Sequence, residues 1–292
     1  MERQIQKPIF ILGSGRSGTT LLYNLLSVHP DLCWFSNITD AHASFPHLAF
    51  LHRVLDIPLF GHSVIKYIIG STSEDRILFP SEGVNIYHSY AGFVRDRKTT
   101  FRDMRIEDAE KFKYSIAIHL MATGRHRFIS KQNANTQRIG ILRKMFPDAY
   151  FVHIIRDGRA VAYSLSQAYW WPDIRLWWLH GQKPSEVKKY KKHPIELCAV
   201  HWSHNIQEIQ SYRSILGDRY IEVRYESLIR DVHTIMSQVL KQCELKLDSR
   251  YMNVLPRVLP DMNMKWRHDL SINDQHRLTK TVRPTLSALG YT

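Results

Sequence analysis

Cysteine is scarce in this chain. Cys33, Cys198 and Cys243 are the only three in 292 residues, an odd number with no C-x-x-C pair. That argues against a disulfide framework and a zinc site, and for a reducing compartment. Long apolar runs are missing as well, and nothing approaches the roughly 20 residues that span a bilayer. The first eight residues, Met1 to Pro8, contain neither an apolar core nor a small-residue cleavage site. No signal peptide or integral membrane segment is therefore expected, and a cytoplasmic location is. Internal repeats and low-complexity tracts are absent. Acidic residues are in deficit: 27 Asp and Glu face 40 Lys and Arg, for a net charge of +13. Such a surplus attracts nucleic acid, a membrane surface or a small polyanion. With no zinc-finger, helix-turn-helix or RNP signature in the chain, nucleic acid is not the expected partner and a small polyanionic ligand is.

What is present reads as an ordinary globular protein, 44% hydrophobic and 23% charged. Strands are expected at 8–13, at Leu32–Phe35, at Arg127–Lys131, at Tyr150–Ile155 and at Tyr220–Tyr225. Helices are expected at 17–28, 137–146, 157–167, 195–216, 228–243 and 273–289, with further helices in 61–125 around a loop at Phe79–Gly83. Residues 170–194 read as an irregular insert rich in tryptophan. Strands alternating with helices imply a parallel sheet covered on both faces, with ligands at the carboxyl ends of its strands.

The most informative segment is Gly13-Ser14-Gly15-Arg16-Ser17-Gly18-Thr19-Thr20, between the apolar run Ile9–Leu12 and the apolar-periodic stretch Leu21–Leu26. It reads as strand, glycine-rich turn and helix, whose backbone N–H groups and helix dipole cradle a phosphate. The spacing matches the nucleotide loop G-x-x-x-x-G-K-[ST] except at Thr19, which stands where the lysine belongs. That lysine reaches the β- and γ-phosphates of triphosphates, so its loss argues against a triphosphate ligand. A cation, Arg16, sits inside the loop instead.

A second constellation follows the strand 150–155. Arg156 leaves its end, and Ser164 lies about two helical turns further on. A guanidinium and a hydroxyl so placed can hold a second phosphate. The alternative is a helix-capping Asp157 among solvated arginines.

Together the two motifs resemble the sulfotransferases that use 3′-phosphoadenosine 5′-phosphosulfate (PAPS). Arg16-Ser17-Gly18-Thr19-Thr20 resembles the family's 5′-phosphosulfate loop. Arg156 to Ser164 resembles its 3′-phosphate motif. Arg16 stands where cytosolic members carry lysine, a form similar to carbohydrate-type and bacterial members. Lys131-Gln132-Asn133 with Arg138, Phe146–Ala149, Trp202 and Arg224-Tyr225-Glu226-Ser227-Leu228 extend the likeness. Lys265-Trp266-Arg267 resembles the C-terminal loop that closes on the adenosine phosphate in the family, without the R-K-G triplet of cytosolic members. The resemblance implies a single P-loop-type α/β domain over 1–292, a three-layer sandwich with a central parallel sheet. It also implies PAPS as donor, adenosine 3′,5′-bisphosphate (PAP) as product, and Gly15, Arg16, Ser17, Gly18, Thr19, Thr20, Arg156, Ser164, Tyr225, Lys265 and Trp266 around them.

Sulfuryl transfer places growing charge on the bridging oxygen, which cations and positioning stabilise. Arg16 and the N–H groups of 17–20 can take that charge, with Lys131 as a second cation. No metal is called for, and no Asp/Glu/His spacing suggests one. Glu82 is the first choice for the general base; Asp40 and His42 are the alternatives. The tryptophans at 170–178 read as packing or as a surface for the acceptor, and Lys188–Lys192 as a solvated face or an attractor of anionic acceptors. The acceptor is expected to be a carbohydrate or small molecule, recognised by 37–125 and 170–194. Competing readings are a P-loop kinase of a small metabolite and a non-catalytic adenosine-bisphosphate binder.

Overall fold

The computed structural model describes residues 5–57, 65, 67–69, 77–93, 98 and 104–291. The sequence readings that fall on 1–4, 58–64, 66, 70–76, 94–97, 99–103 and 292, including parts of the 37–125 segment, lie outside these residues. Among the described residues, five strands form one parallel sheet in the order β2-β3-β1-β4-β5. They are β1 (Ile9–Leu12), β2 (Leu32–Cys33), β3 (Arg127–Lys131), β4 (Tyr150–Ile155) and β5 (Tyr220–Arg224). β1, β3 and β4 are buried along their whole length. That is why they read as apolar runs without polar alternation, as strands covered on both faces do.

Alternate residues feed opposite layers. Ile9, Ile11, Val152 and Ile154 pack with α1 (Thr19–Ser27) on one face. Phe10, Leu12 and Phe151 pack on the other face with α3 (Val84–Ala91), α4 (Ile106–Thr123) and α5 (Ile139–Met145). The short helix α2 (Asn37–Ala41) precedes α3. A third cluster joins α6 (Gly158–Ser166), α7 (Pro194–Ser211) and α11 (Ile272–Ala288) around the fully buried Trp202. Cys33, Cys198 and Cys243 fall one in each of the three clusters. Among the described residues, no helix is long and apolar enough to cross a membrane.

The expected elements are present with local differences. The strand at 32–35 stops at Cys33, and Trp34 turns inward to donate from Nε1 to the Ser27 carbonyl at 2.8 Å. The helix expected over 195–216 stops at Ser211 and resumes for one turn at Arg213–Leu216. The helix expected at 228–243 is two, α8 (Tyr225–Arg230) and α9 (Val232–Gln242). Asp231 divides them: its carboxylate accepts from the Thr234 N–H at 3.1 Å and so restarts the helix as its N-cap.

One packing contact can be tested directly. A Cβ on Gly158 would lie 2.5 Å from the Trp202 ring. Gly158→Ala is therefore expected to destabilise the fold by about 1–3 kcal/mol through overpacking. A thermal melt that matches the unaltered protein would contradict this.

Candidate active site

The parallel register brings the carboxyl ends of four strands to one edge. Ile11 lies opposite Lys131, Leu12 opposite His153, and Ile155 opposite Arg224. The Gly13–Thr20 loop, Lys131, Arg156 and Tyr225 all emerge there.

The loop needs its glycines. Gly18 has φ 93°, and a Cβ on it would stand 2.6 Å from Tyr225 Cδ2, so both backbone and space demand glycine. Gly18 also precedes α1, whose first turn holds no acidic residue and whose N-cap supplies no side-chain hydrogen bond. The hydroxyls of Ser14 and Ser17 are buried and meet no partner among the described residues. A loop with buried hydroxyls and an uncapped helix N-terminus is chemically suited to an anion with several acceptor oxygens. Thr19 is turned away into the wall, where its hydroxyl donates to Asn133 Oδ1 at 3.3 Å.

The two sequence motifs meet. Arg16 is exposed, and its Nε donates to Ser164 Oγ at 2.9 Å. Arg16, Tyr163, Ser164, Gln167, Lys265, His268 and Asp269 line one cleft of about 380 Å³. The last three belong to α10 (Lys265–Asp269), which packs across α6. Trp266, buried, carries Arg159 over its ring at 5.2 Å. Asp157 does cap α6 and grips Arg159 with both carboxylate oxygens. Arg156, by contrast, is not solvated. It is buried against the Tyr225 ring at 4.4 Å, and burial lowers its pKa from the usual guanidinium value.

On the other side of the loop, Lys131 Nζ and Glu82 Oε1 form an ion pair at 2.5 Å. Glu82 is held from its backbone too, its carbonyl accepting from Gln132 Nε2 at 3.4 Å. Asp40 has a different environment. Its Oδ1 accepts from the N–H groups of Asn85 and Ile86 at 2.8 and 3.1 Å, and its Oδ2 from Ser81 Oγ at 3.2 Å. It therefore anchors the start of α3. His42 is exposed at the end of α2.

The insert at 170–194 is irregular, as read from the sequence, with short single turns. Trp171 is buried and Trp178 stacks on His204 at 4.1 Å while donating from Nε1 to His201 Nδ1. Lys188, Lys189, Lys191 and Lys192 are exposed. Sequence reasoning passed over Asn263, Met262 and Tyr291, which join the network behind Arg156, and Tyr163, Gln167, His268 and Asp269 in the cleft. A single sequence carries no signal for them, because their partners lie as far as 107 residues away.

These features define a class: an α/β sandwich of the P-loop type with an anion-suited loop at the carboxyl edge of its sheet. The model of the Sulfotransferase family matches residues 8–249, and the chain belongs to that family. It is 25% identical over 247 residues to the omega-hydroxy-beta-dihydromenaquinone-9 sulfotransferase Stf3 of Mycobacterium bovis. That match takes in 77% of this chain but only 59% of the relative's length. Among solved structures, the sulfotransferase STF9 of Mycobacterium avium superposes with a TM-score of 0.62 at 14% identity, over 99% of this chain and 78% of that one. The sulfotransferase domain of the curacin biosynthetic pathway gives 0.55 at 15% identity, over 99% of each chain. These likenesses support the fold.

Proposed function

We propose that this chain transfers the sulfuryl group of PAPS to a hydroxyl of a small-molecule or carbohydrate acceptor, and that residues 1–292 act as one domain. The observation that supports the reading is the Arg16–Ser164 hydrogen bond, which brings the glycine-rich loop and the Arg156–Ser164 motif to one cleft, the two segments that resemble the 5′-phosphosulfate and 3′-phosphate motifs. The residues suit the donor: Ser14 and Ser17 offer buried hydroxyls, and the N–H groups of 18–20 open the α1 N-terminus, the Ser17 N–H being held by the Ser14 carbonyl at 3.1 Å. PAPS supplies an activated sulfuryl group when bound. Arg16 and the loop N–H groups neutralise charge on the bridging oxygen. Ser164 and Lys265 hold the 3′-phosphate; Arg156, read from the sequence as a holder of that phosphate, stands behind them, its guanidinium engaged with Asn263, Arg16 and Met262, and Tyr225 and Trp266 frame the site. Glu82 accepts the acceptor's proton, and its ion pair with Lys131 fixes both the base and the second cation at the loop.

The acceptor hydroxyl is assigned by class alone. Stf3 is named for a hydroxylated menaquinone, and a hydroxyl-bearing small molecule is the first candidate here. The Lys188–Lys192 run favours anionic acceptors. Three thiols buried in separate clusters suit a reducing cytoplasm. The kinase reading needs a cation at position 19, and the Thr19 hydroxyl faces Asn133.

Thermal shift tests the donor assignment. PAP at a hundred times its dissociation constant is expected to stabilise the protein by about 2.7 kcal/mol. Both 5′-AMP and ATP with magnesium should do so far less. Equal stabilisation by 5′-AMP would remove the second phosphate site.

A further inference from the structure

Arg16 lies in the left-handed region, at φ 69°, although it is not glycine. Such a backbone is strained and persists only where its surroundings enforce it. The surroundings here are a relay of polar groups. The Arg16 carbonyl accepts from Arg156 Nη1 at 3.1 Å. Arg156 in turn donates from Nε to Asn263 Oδ1 at 2.7 Å and from Nη2 to the Met262 carbonyl at 2.9 Å. The Asn263 amide has one orientation that serves both neighbours. Its oxygen faces the guanidinium, and its Nδ2 donates to Glu226 Oε1 at 3.1 Å. Reversed, it would set N–H groups against a cation and an oxygen against a carboxylate. Glu226 is itself pinned. Oε1 also accepts from the Asp157 N–H at 3.0 Å, and Oε2 from the Tyr291 hydroxyl at 2.9 Å. The Asn263 N–H donates to Asp261 Oδ1 at 2.8 Å, which fixes the turn that carries it.

We propose that Asn263 and Glu226 are positioning residues for the phosphate loop: through Arg156 they hold the Arg16 carbonyl, and with it the loop conformation that receives the 5′-phosphate. The relay begins at Tyr291, the last described residue, runs through Glu226, and ends in the loop beside β1. It acts on the loop backbone, which serves any 5′-nucleotide, whereas Ser164 lies in the cleft assigned to the 3′-phosphate. The two therefore differ in which ligands they affect. This inference rests on the donor reading above.

Calorimetric titration of PAP and of 5′-AMP tests it, each measured well below the melting temperature of the variant so that only folded protein is counted. Asn263→Ala is expected to weaken both ligands by the same factor, about tenfold or more, as for loss of a hydrogen bond to a charged group. Tyr291→Phe, which deletes one hydroxyl and leaves the packing in place, should show the same pattern at about threefold. It decides the matter if Asn263→Ala does not fold. Ser164→Ala should weaken PAP alone. A loss confined to PAP in Asn263→Ala or Tyr291→Phe, or unchanged affinity for both ligands, would overturn the proposal. Failure of the donor reading looks different: the unaltered protein would bind PAP no better than 5′-AMP, while the effect of Asn263→Ala on 5′-AMP would persist.

Discussion

Arg16→Ala is expected to lower turnover about a hundredfold to a thousandfold while changing donor affinity much less. The side chain leaves the loop, is exposed to the cleft, and is steered by the hydrogen bond from its Nε to Ser164 Oγ. In the proposed sulfuryl transfer its charge would matter most when the bridging oxygen gains charge, in the transition state, and an interaction strengthened there falls on kcat. With Glu82 as the proposed base, held at the loop by its ion pair with Lys131, Glu82→Gln should lower turnover in the same way with donor binding kept. Asp40→Asn would instead perturb the start of α3, where the Asp40 carboxylate receives two backbone N–H groups. Steady-state kinetics with donor affinity measured in parallel separates these outcomes. Retained turnover in Arg16→Ala would contradict the assigned role of the loop.

The second large effect is on stability in mild acid. His52, His119 and His153 are almost wholly buried, and burial lowers their pKa values to about 3, about 4 and about 3. Nε2 of each meets no partner among the described residues, so the folded protein keeps all three neutral. The unfolded chain binds a proton at each near the ordinary pKa of about 6.5. Stability is therefore full above about 6.5 and falls as the pH drops toward the folded values. At about pH 5 each group costs ~2 kcal/mol, and the three together about 6 kcal/mol. That is comparable with the whole stability of a typical domain. Urea unfolding at about pH 7.5 and about pH 5 is expected to show this loss, and His52→Phe should lessen it. A stability that stays level across this interval would contradict the neutral burial of these imidazoles.

The fold was legible where local pattern and burial coincide. β4 is six residues of β-branched and aromatic side chains, and it is a strand buried from end to end. The loop at 13–20 announced itself through glycine spacing, and Gly18 meets both a positive φ and a close ring. What a sequence could not show is which side chains meet across the sheet. Lys131 and Glu82 were both singled out as candidates, yet nothing in their surroundings in sequence says that they pair across 49 residues. The break at Asp231 was equally hidden, since an aspartate can cap a helix or face solvent within one. Asn263 sits in a stretch with no periodicity, and its importance arises wholly from two distant partners, Arg156 and Glu226.

The most direct measurement of the central claim is a label-transfer experiment with a panel of hydroxyl acceptors, including hydroxylated isoprenoids and sugars. The protein is given either sulfur-labelled PAPS or ATP labelled at its γ-phosphate, with magnesium. Label is expected to reach an acceptor from PAPS only, and to depend on Arg16. Transfer from ATP, with none from PAPS, would contradict the account and return the chain to the kinase reading.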